Sequence, residues 1–210
     1  MLKLLAVAVA CVALASCVRH DPPFTIPTLA EATPIPAPQG TAVPSVLLLE
    51  LGSEVSRQKE TVLFGGEQCS TGVRYSGFDP PVRGKAAIDF GRTFVEVMES
   101  QGYPAKALVV EQFAGNDDRL RLQGIFLDVA ANLCNEGAGQ VYVEIAWILW
   151  DSRTEEAVFR TTTEGTTTSS SQNLEEYFAI FMEGFSDAVR NLLADPAYLQ
   201  TLLRFAETRS

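Results

Sequence analysis

The side chains that most often carry out chemistry are sparse in this sequence, and their positions exclude most catalytic arrangements. The only histidine, His20, lies close to the amino terminus, so a folded domain further along lacks the side chain most used for proton transfer near neutral pH. Ser-His-Asp and Cys-His arrangements and histidine-built zinc sites are therefore excluded from such a domain. Gly65 and Gly66 are not followed by the Gly-Lys-Ser/Thr of a phosphate-binding loop.

Carboxylates occur as adjacent pairs, and paired carboxylates are what a glycosidase uses. The pairs are Asp117-Asp118, Glu155-Glu156 and Glu175-Glu176. Adjacent side chains point apart on a strand and about 100° apart on a helix, so the members of a pair do not face each other. Each pair lies at a predicted turn or helix start, where solvated acids are common. We therefore expect no catalytic residues, no metal and no cofactor.

The four cysteines fall into two groups by position. Cys11 and Cys17 lie in the apolar amino-terminal segment, whereas Cys69 and Cys134 lie in the rest of the chain. An exported chain meets an oxidising compartment, so we expect a disulfide between Cys69 and Cys134, with two free buried thiols as the alternative. Two cysteines without a nearby histidine make too few ligands for zinc.

Residues 1–17, MLKLLAVAVACVALASC, have the layout of a secretory signal. Lys3 precedes an unbroken apolar run over residues 4–15. The run is shorter than the roughly 20 apolar residues that cross a bilayer core. We expect residues 1–16 to be a signal peptide that is removed on export.

The run ends in Leu14-Ala15-Ser16-Cys17, which resembles the lipobox of bacterial lipoproteins. The resemblance implies lipid on the Cys17 sulfur and cleavage just before it, and two or more acyl chains anchor a protein stably. An ordinary signal peptide with a cysteine at its cleavage site is the alternative. Because position 18 is not Asp, the sequence also resembles the outer-membrane sorting pattern of enteric bacteria, which implies the periplasmic face of the outer membrane.

The charge of the chain limits its partners. The sequence has 26 acidic and 16 basic residues, a formal charge of −10. Nucleic-acid recognition needs clustered Lys and Arg, so nucleic acid is excluded as a partner. A broad electrostatic attraction to anionic lipid is excluded on the same ground, so lipid on Cys17 is expected to supply the membrane attachment.

Residues 17–44 are rich in proline. Seven of the eleven prolines of the chain occur here: Pro22, Pro23, Pro27, Pro34, Pro36, Pro38 and Pro44. Proline lacks an amide donor and has a fixed φ, so the segment predicts an extended tether that at full stretch spans on the order of 80 Å. A docking motif for a proline-reading partner is the alternative.

Residues 45–210 predict a single α+β domain. Apolar runs predict strands over residues 45–52, 106–113, 120–134, 140–151 and 156–164. Apolar stripes predict helices over 83–101 and 173–194, and Asp195-Pro196 predicts the start of a short last helix. This order favours an antiparallel or mixed sheet of about five strands with the two main helices packed on one face.

Two stretches carry a further resemblance, WILWD at residues 147–151 and VFRTTTEG at 158–165. With the order of elements, they resemble the periplasmic domains of ABC-transport auxiliary lipoproteins and the amino-terminal domains of TolB-like and curli-secretion proteins. The resemblance implies a non-catalytic part of a larger envelope assembly, with no catalytic residues to carry over.

The strand over residues 141–150 suggests a binding surface. Its odd positions suit the core, which places Tyr142, Ile148 and Trp150 on the other face, together with Phe126 of the neighbouring strand. If helices cover only one face, these four residues form an exposed apolar patch that binds a partner. The alternative is that the last helix, with Tyr198 and Leu202, covers this face.

These observations predict a non-enzymatic lipoprotein that acts as an accessory or docking subunit of an envelope transport or assembly system, with an envelope protein as its partner. One alternative is a carrier that binds a lipid or other apolar ligand in a cavity lined by Phe94, Phe178 and Phe181. A second alternative is a carboxylate-based cell-wall hydrolase, which needs two acids facing each other across a cleft.

Overall fold

The computed structural model describes residues 26–53, 58–62, 72–76, 83–109, 118–132, 139–169 and 174–207. The strands are β1 (Val46–Ser53), β2 (Gln58–Val62), β3 (Gly72–Ser76), β4 (Ala105–Ala107), β5 (Leu120–Asn132), β6 (Gly139–Asp151) and β7 (Glu156–Ser169). The helices are α1 (Gly84–Ser100), α2 (Leu174–Ala194) and α3 (Pro196–Glu207). None of these helices is long and apolar enough to cross a bilayer. The predicted α+β class is confirmed.

The strands form one mixed sheet. Its main section has the order β4-β1-β5-β6-β7, in which β1 runs parallel to β4 and β5 and the other pairs are antiparallel. The β2-β3 hairpin continues the sheet beyond the end of β1, because β3 pairs with the second half of β5. The prediction of a mixed sheet with about five strands is confirmed for the main section.

Strand β6 lies between β5 and β7 and pairs with both along almost its whole length. Its odd-numbered side chains are at most 1% exposed, as the alternation predicts: Val141, Val143, Ile145, Trp147 and Leu149.

All three helices pack against the face of the sheet that carries these side chains. The ring of Phe90 in α1 lies 4.9 Å from that of Phe185 in α2, and Phe94 lies 6.5 Å from Trp147. In α3, the ring of Tyr198 lies 5.4 Å from the ring of Phe159. Phe159 of β7 lies directly across from Leu149 of β6, and both residues pack in the same core as the other two helices. The last helix therefore lies on the same side as the others, and the interpretation in which it covers the second face is wrong.

Helix α2 approaches β7 closely. A Cβ on Gly165 would overlap the carbonyl oxygen of Gly184. Beside this contact, the indole Nε1 of Trp147 donates to Thr163 Oγ1 at 2.7 Å, and that hydroxyl donates to the Ala188 carbonyl at 2.8 Å. Glycine is needed at 165 for backbone-to-backbone contact, and the buried polar atoms beside it are paired.

The proline-rich segment is packed against the domain from residue 26 onwards, in contrast to the free tether predicted for residues 17–44. The backbone N–H groups of Ile35 and Ala37 donate to the carbonyls of Leu193 and Gln101, at 3.1 and 2.8 Å. These carbonyls lie at the ends of α2 and α1, where a helix leaves its last C=O groups without internal partners. The residues between the prolines keep their donors, so the segment binds the helix ends and does not extend into solvent.

Candidate functional site

The lipid and disulfide sites that the sequence predicts lie outside the described residues. This holds for Cys17, Cys69 and Cys134, and also for His20. Acylation of Cys17 and the Cys69–Cys134 disulfide therefore stay predictions. The predicted surface patch does lie within the described residues.

Phe126 does not belong to the patch, in contrast to the expectation from alternation. It is 1% exposed, and its ring lies 5.5 Å from Phe90 and 6.2 Å from Phe185, on the face that the helices cover. The reason is a β-bulge in β5 between Phe126 and Asp128. A bulge adds one residue and shifts the alternation, so even positions face the core before it and odd positions after it.

Tyr142, Ile148 and Trp150 do lie on one face, as predicted. We call this side of the sheet, away from the three helices, the open face. Tyr142 is 6% exposed, whereas Ile148 and Trp150 are half-buried. Tyr142 and Trp150 lie near opposite ends of β6, and the two ends of the open face carry different side chains.

The Tyr142 end is acidic. Asp128 lies directly across from Glu144, and Glu144 directly across from Glu164, so three adjacent strands each place one carboxyl group in a row on the open face. The Tyr142 hydroxyl donates to Glu164 Oε1 at 2.9 Å. Burial, this hydrogen bond and the three carboxylates raise the pKa of Tyr142 above its usual value. Ile26 packs against Tyr142 here.

This acid row was not found from the sequence, because its members come from three strands and only their register brings them together. The carboxylates stand side by side on one surface, whereas a glycosidase places its two carboxyl groups on either side of the bond it breaks. Within the described residues, no group of three or more His, Cys, Asp or Glu side chains could hold a metal ion.

The adjacent acid pairs noted in the sequence take no part in this row. Asp118 is paired with the Lys106 ammonium at 3.2 Å, and Glu155 and Glu156 are exposed at the turn between β6 and β7. The side chains of Asp117, Glu175 and Glu176 lie outside the described part of the chain.

The Trp150 end carries two arginines and several apolar side chains. Arg121 of β5 lies directly across from Trp150 of β6, and Arg160 of β7 lies directly across from Ile148 of β6. The Arg160 guanidinium carbon is 5.9 Å from the centre of the Trp150 ring, a cation–π distance. Ile125 on β5 is also half-buried on this side.

A second surface feature is an apolar cleft between β1 and the start of α1. Its volume is about 430 Å³, and Leu48, Leu51, Ala87, Ile88 and Val109 are among its lining residues. Among the described residues, the exposed large apolar side chains are Ile88, Val109 and Leu108, with 38%, 39% and 43% of their surface exposed. All three lie in or next to the cleft.

The cleft differs from the ligand cavity that the carrier alternative predicts. Phe94 is completely buried in the core and Phe181 packs against that core, so neither lines the cleft. The side chain of Phe178 lies outside the described residues. Strand β4 ends at Ala107, and the register of β1 with β4 ends at Leu48, so the next residues of β1 form the floor of the cleft.

Comparison with known proteins gives fold likenesses at low identity. No protein-family model matches this chain, and no curated protein matches it. Protein XCC0632 from Xanthomonas campestris is similar over 90% of this chain and 100% of its own, with 10% identity and a TM-score of 0.46. The PelC dodecamer subunit from Paraburkholderia phytofirmans is similar over 84% of this chain and 94% of its own, with 14% identity and a TM-score of 0.39.

Lipoprotein GNA1162 from Neisseria meningitidis is similar over 70% of this chain and 99% of its own, with 12% identity and a TM-score of 0.35. Likenesses at this level carry no argument about the function of this chain.

Proposed function

We propose that the chain is a lipoprotein attached through Cys17 to the periplasmic face of the outer membrane, where it acts as a non-enzymatic docking subunit of an envelope transport or assembly system. The export and lipid signals in residues 1–17 support the location. The observation that carries the docking role is the apolar cleft with its three exposed side chains, because exposed apolar clusters mark interaction sites.

The edge of β1 favours an extended segment of a partner protein as the occupant of this cleft. Among the described residues, β4 pairs with β1 only as far as Leu48, while Leu51 and Ile88 supply apolar walls. An added strand pairs with free backbone groups and places alternate side chains in apolar pockets. The partner is thus an envelope protein that presents an apolar strand.

In-cell photo-crosslinking tests this proposal. A photoreactive residue is placed at Ile88 or Val109 in the full chain, and at the exposed Gln200 of α3 as the matched control. We expect the same envelope protein in adducts from both cleft positions, none from position 200, and loss of the adduct in Cys17→Ser. Absence of a shared adduct at the two cleft positions would reject the docking role.

The same cleft supports a carrier of an apolar ligand as a second candidate. A volume of about 430 Å³ lies within the range of small-molecule sites. Native mass spectrometry of protein purified from its own membranes separates the two candidates. A carrier retains a bound apolar molecule that Ala87→Trp displaces, whereas a docking subunit is recovered without one.

A further inference from the structure

Residues 26–38 form a strap that lies on the domain with little burial of its own. None of these residues is buried, whereas Pro44 and Val46, where the chain enters β1, are buried. Ile26 and Ala37 contact apolar side chains of the domain but are only partly buried there. A segment with few buried apolar contacts opens at a lower free energy than the core does.

The described hydrogen bonds between the strap and the domain are few. The N–H groups of Ile35 and Ala37 donate to helix-end carbonyls at 3.1 and 2.8 Å, and the Tyr103 hydroxyl donates to the Ile35 carbonyl at 2.7 Å. Helix-end carbonyls can accept from water instead, so release of the strap does not leave them without a donor. The core can therefore stay folded when these bonds break.

The strap is loosely packed where it passes β7. A polar groove of about 380 Å³ is lined by Leu29 and Ala30 of the strap, and Thr162, Asn191 and Asp195 also line it. Close-packed protein interiors leave no space of this size. Space therefore lies between this part of the strap and the edge of β7, so the strap can leave without disturbing core packing.

The turn at residues 38–41 gives the strap a hinge. The Thr41 N–H donates to the Pro38 carbonyl at 3.3 Å and Gly40 has a φ of 78°, the pattern of a type II turn. Gly40 is exposed, and a Cβ there would meet no atom within 4 Å, so the space around the turn is open. Val43, which packs against the core, and the buried Pro44 follow. The firmly held part of the chain therefore begins after the hinge.

We infer that the strap is a releasable store of tether length, which docks on the helix ends in one state and frees the chain up to Gly40 in the other. This inference rests on the lipid anchor of the proposed function. A chain spans at most about 3.3–3.6 Å per residue, so the domain can lie about 30 Å from Cys17 when the tether ends at Ile26 and about 80 Å when it ends at Gly40. Release thus lets the cleft beside β1 meet a partner further from the bilayer.

Hydrogen–deuterium exchange tests whether the strap opens independently, because the Ile35 and Ala37 amides have these acceptors only in the docked state. In the wild-type chain we expect both amides to exchange at least about 100-fold faster than the amides of β6, at a rate that low urea concentrations do not change. Ala37→Pro removes the donor to the Gln101 carbonyl and should speed exchange at Ile35 at least about tenfold. Gln39→Pro is the matched control, since it adds a proline at the second position of the type II turn, where proline is favoured.

Fluorescence energy transfer measures the distance between the domain and the lipid. The acylated full chain, with a donor fluorophore on a non-natural amino acid at the exposed position 200 of α3, is reconstituted into phosphatidylethanolamine–phosphatidylglycerol vesicles that contain an acceptor-labelled lipid. We expect Ala37→Pro to lower the energy transfer below the wild-type value and Gln39→Pro to leave it unchanged.

The outcomes separate the store of tether length from the anchor. Exchange of the Ile35 and Ala37 amides at the rate of the β6 amides overturns independent opening of the strap. Faster exchange at Ile35 in Ala37→Pro with unchanged energy transfer overturns the effect on tether length and leaves the anchor standing. A wild-type chain that incorporates no palmitate overturns the anchor and, with it, the store of tether length, whatever the exchange rates are.

Discussion

The hydroxyl of Tyr103 donates a hydrogen bond to the backbone carbonyl of Ile35 at 2.7 Å, which ties the proline-rich segment to the turn after α1. Tyr103 is 1% exposed, and burial raises the pKa of its hydroxyl. Together with the bond from Ile35 N–H to the Leu193 carbonyl, this contact joins the segment to the ends of both main helices. The described part of the proline-rich segment is therefore held at the ends of both helices.

Removing this hydroxyl should loosen the segment without unfolding the domain. Tyr103→Phe leaves the Ile35 carbonyl without this donor, and a lost hydrogen bond of this kind costs about 1 kcal/mol. We expect a glutamate-specific protease to cleave Tyr103→Phe after Glu31 faster than it cleaves the wild type, with the cleavage measured by mass spectrometry. Equal cleavage rates in the two proteins would show that the bond does not hold the segment.

The contact between β7 and α2 predicts a large effect of one methyl group. Gly165→Ala places a Cβ against the backbone of Gly184, and overpacking of this kind costs about 1–3 kcal/mol. Gly52→Ala is the matched control, since the nearest atom to its Cβ is 4.0 Å away. Urea denaturation should show a lower free energy of unfolding for the first variant and little change for the second. Similar values for both would argue against the close approach.

Asp151 predicts a pH-dependent contribution to stability. Burial alone would raise its pKa, but bonds from the Arg119 side chain and the Arg153 backbone N–H lower it below the usual value. A depressed pKa means that the stabilisation is present above the unfolded-state pKa and is lost as the pH falls through the folded-state value. Asp151→Asn should cost about 3 kcal/mol at neutral pH, since it replaces the buried carboxylate that the Arg119 guanidinium binds with a neutral amide.

The pH profile checks the cause of that loss. The difference in free energy of unfolding between wild type and Asp151→Asn should be largest above about pH 5 and should shrink as the pH falls below about 4. Asp89→Asn, which breaks a surface pair with Lys85 at 3.4 Å, should change stability by less than about 1 kcal/mol. A difference that does not vary with pH would contradict the ion-pair explanation.

The two faces of the sheet predict unequal losses of stability when an aromatic residue is truncated. Phe126→Ala removes a completely buried ring that contacts Phe90 and Phe185, so it should cost about 3–5 kcal/mol. Trp150→Ala removes a half-buried ring on the open face and should cost clearly less. Thermal unfolding of the two variants measures the difference. A larger loss of stability for Trp150→Ala than for Phe126→Ala would place Trp150, and not Phe126, in the core.

Several elements of the fold were predictable because their signals are local. The alternation in β6 predicted its five core side chains, and the apolar stripe over residues 83–101 predicted α1, in which Phe90 and Phe94 are buried. The start of α3 was predicted from Asp195-Pro196, and the Asp195 carboxylate does accept from the Ala197 N–H, at 2.8 Å. Such signals depend on the period of a strand or helix and on a single capping residue, so distant parts of the chain do not change them.

The sequence by itself determined the α+β class and the core face of β6, and the lipid anchor on Cys17 stays a prediction from the sequence. Only the tertiary structure decided that Phe126 is in the core, since the bulge after it appears only in the register with β6. It also decided that the Ile35 region packs on the domain, because its backbone donors bind carbonyls of helix ends that lie far away in sequence. Alternation and proline content are local, whereas register and hydrogen-bond partners depend on the whole fold.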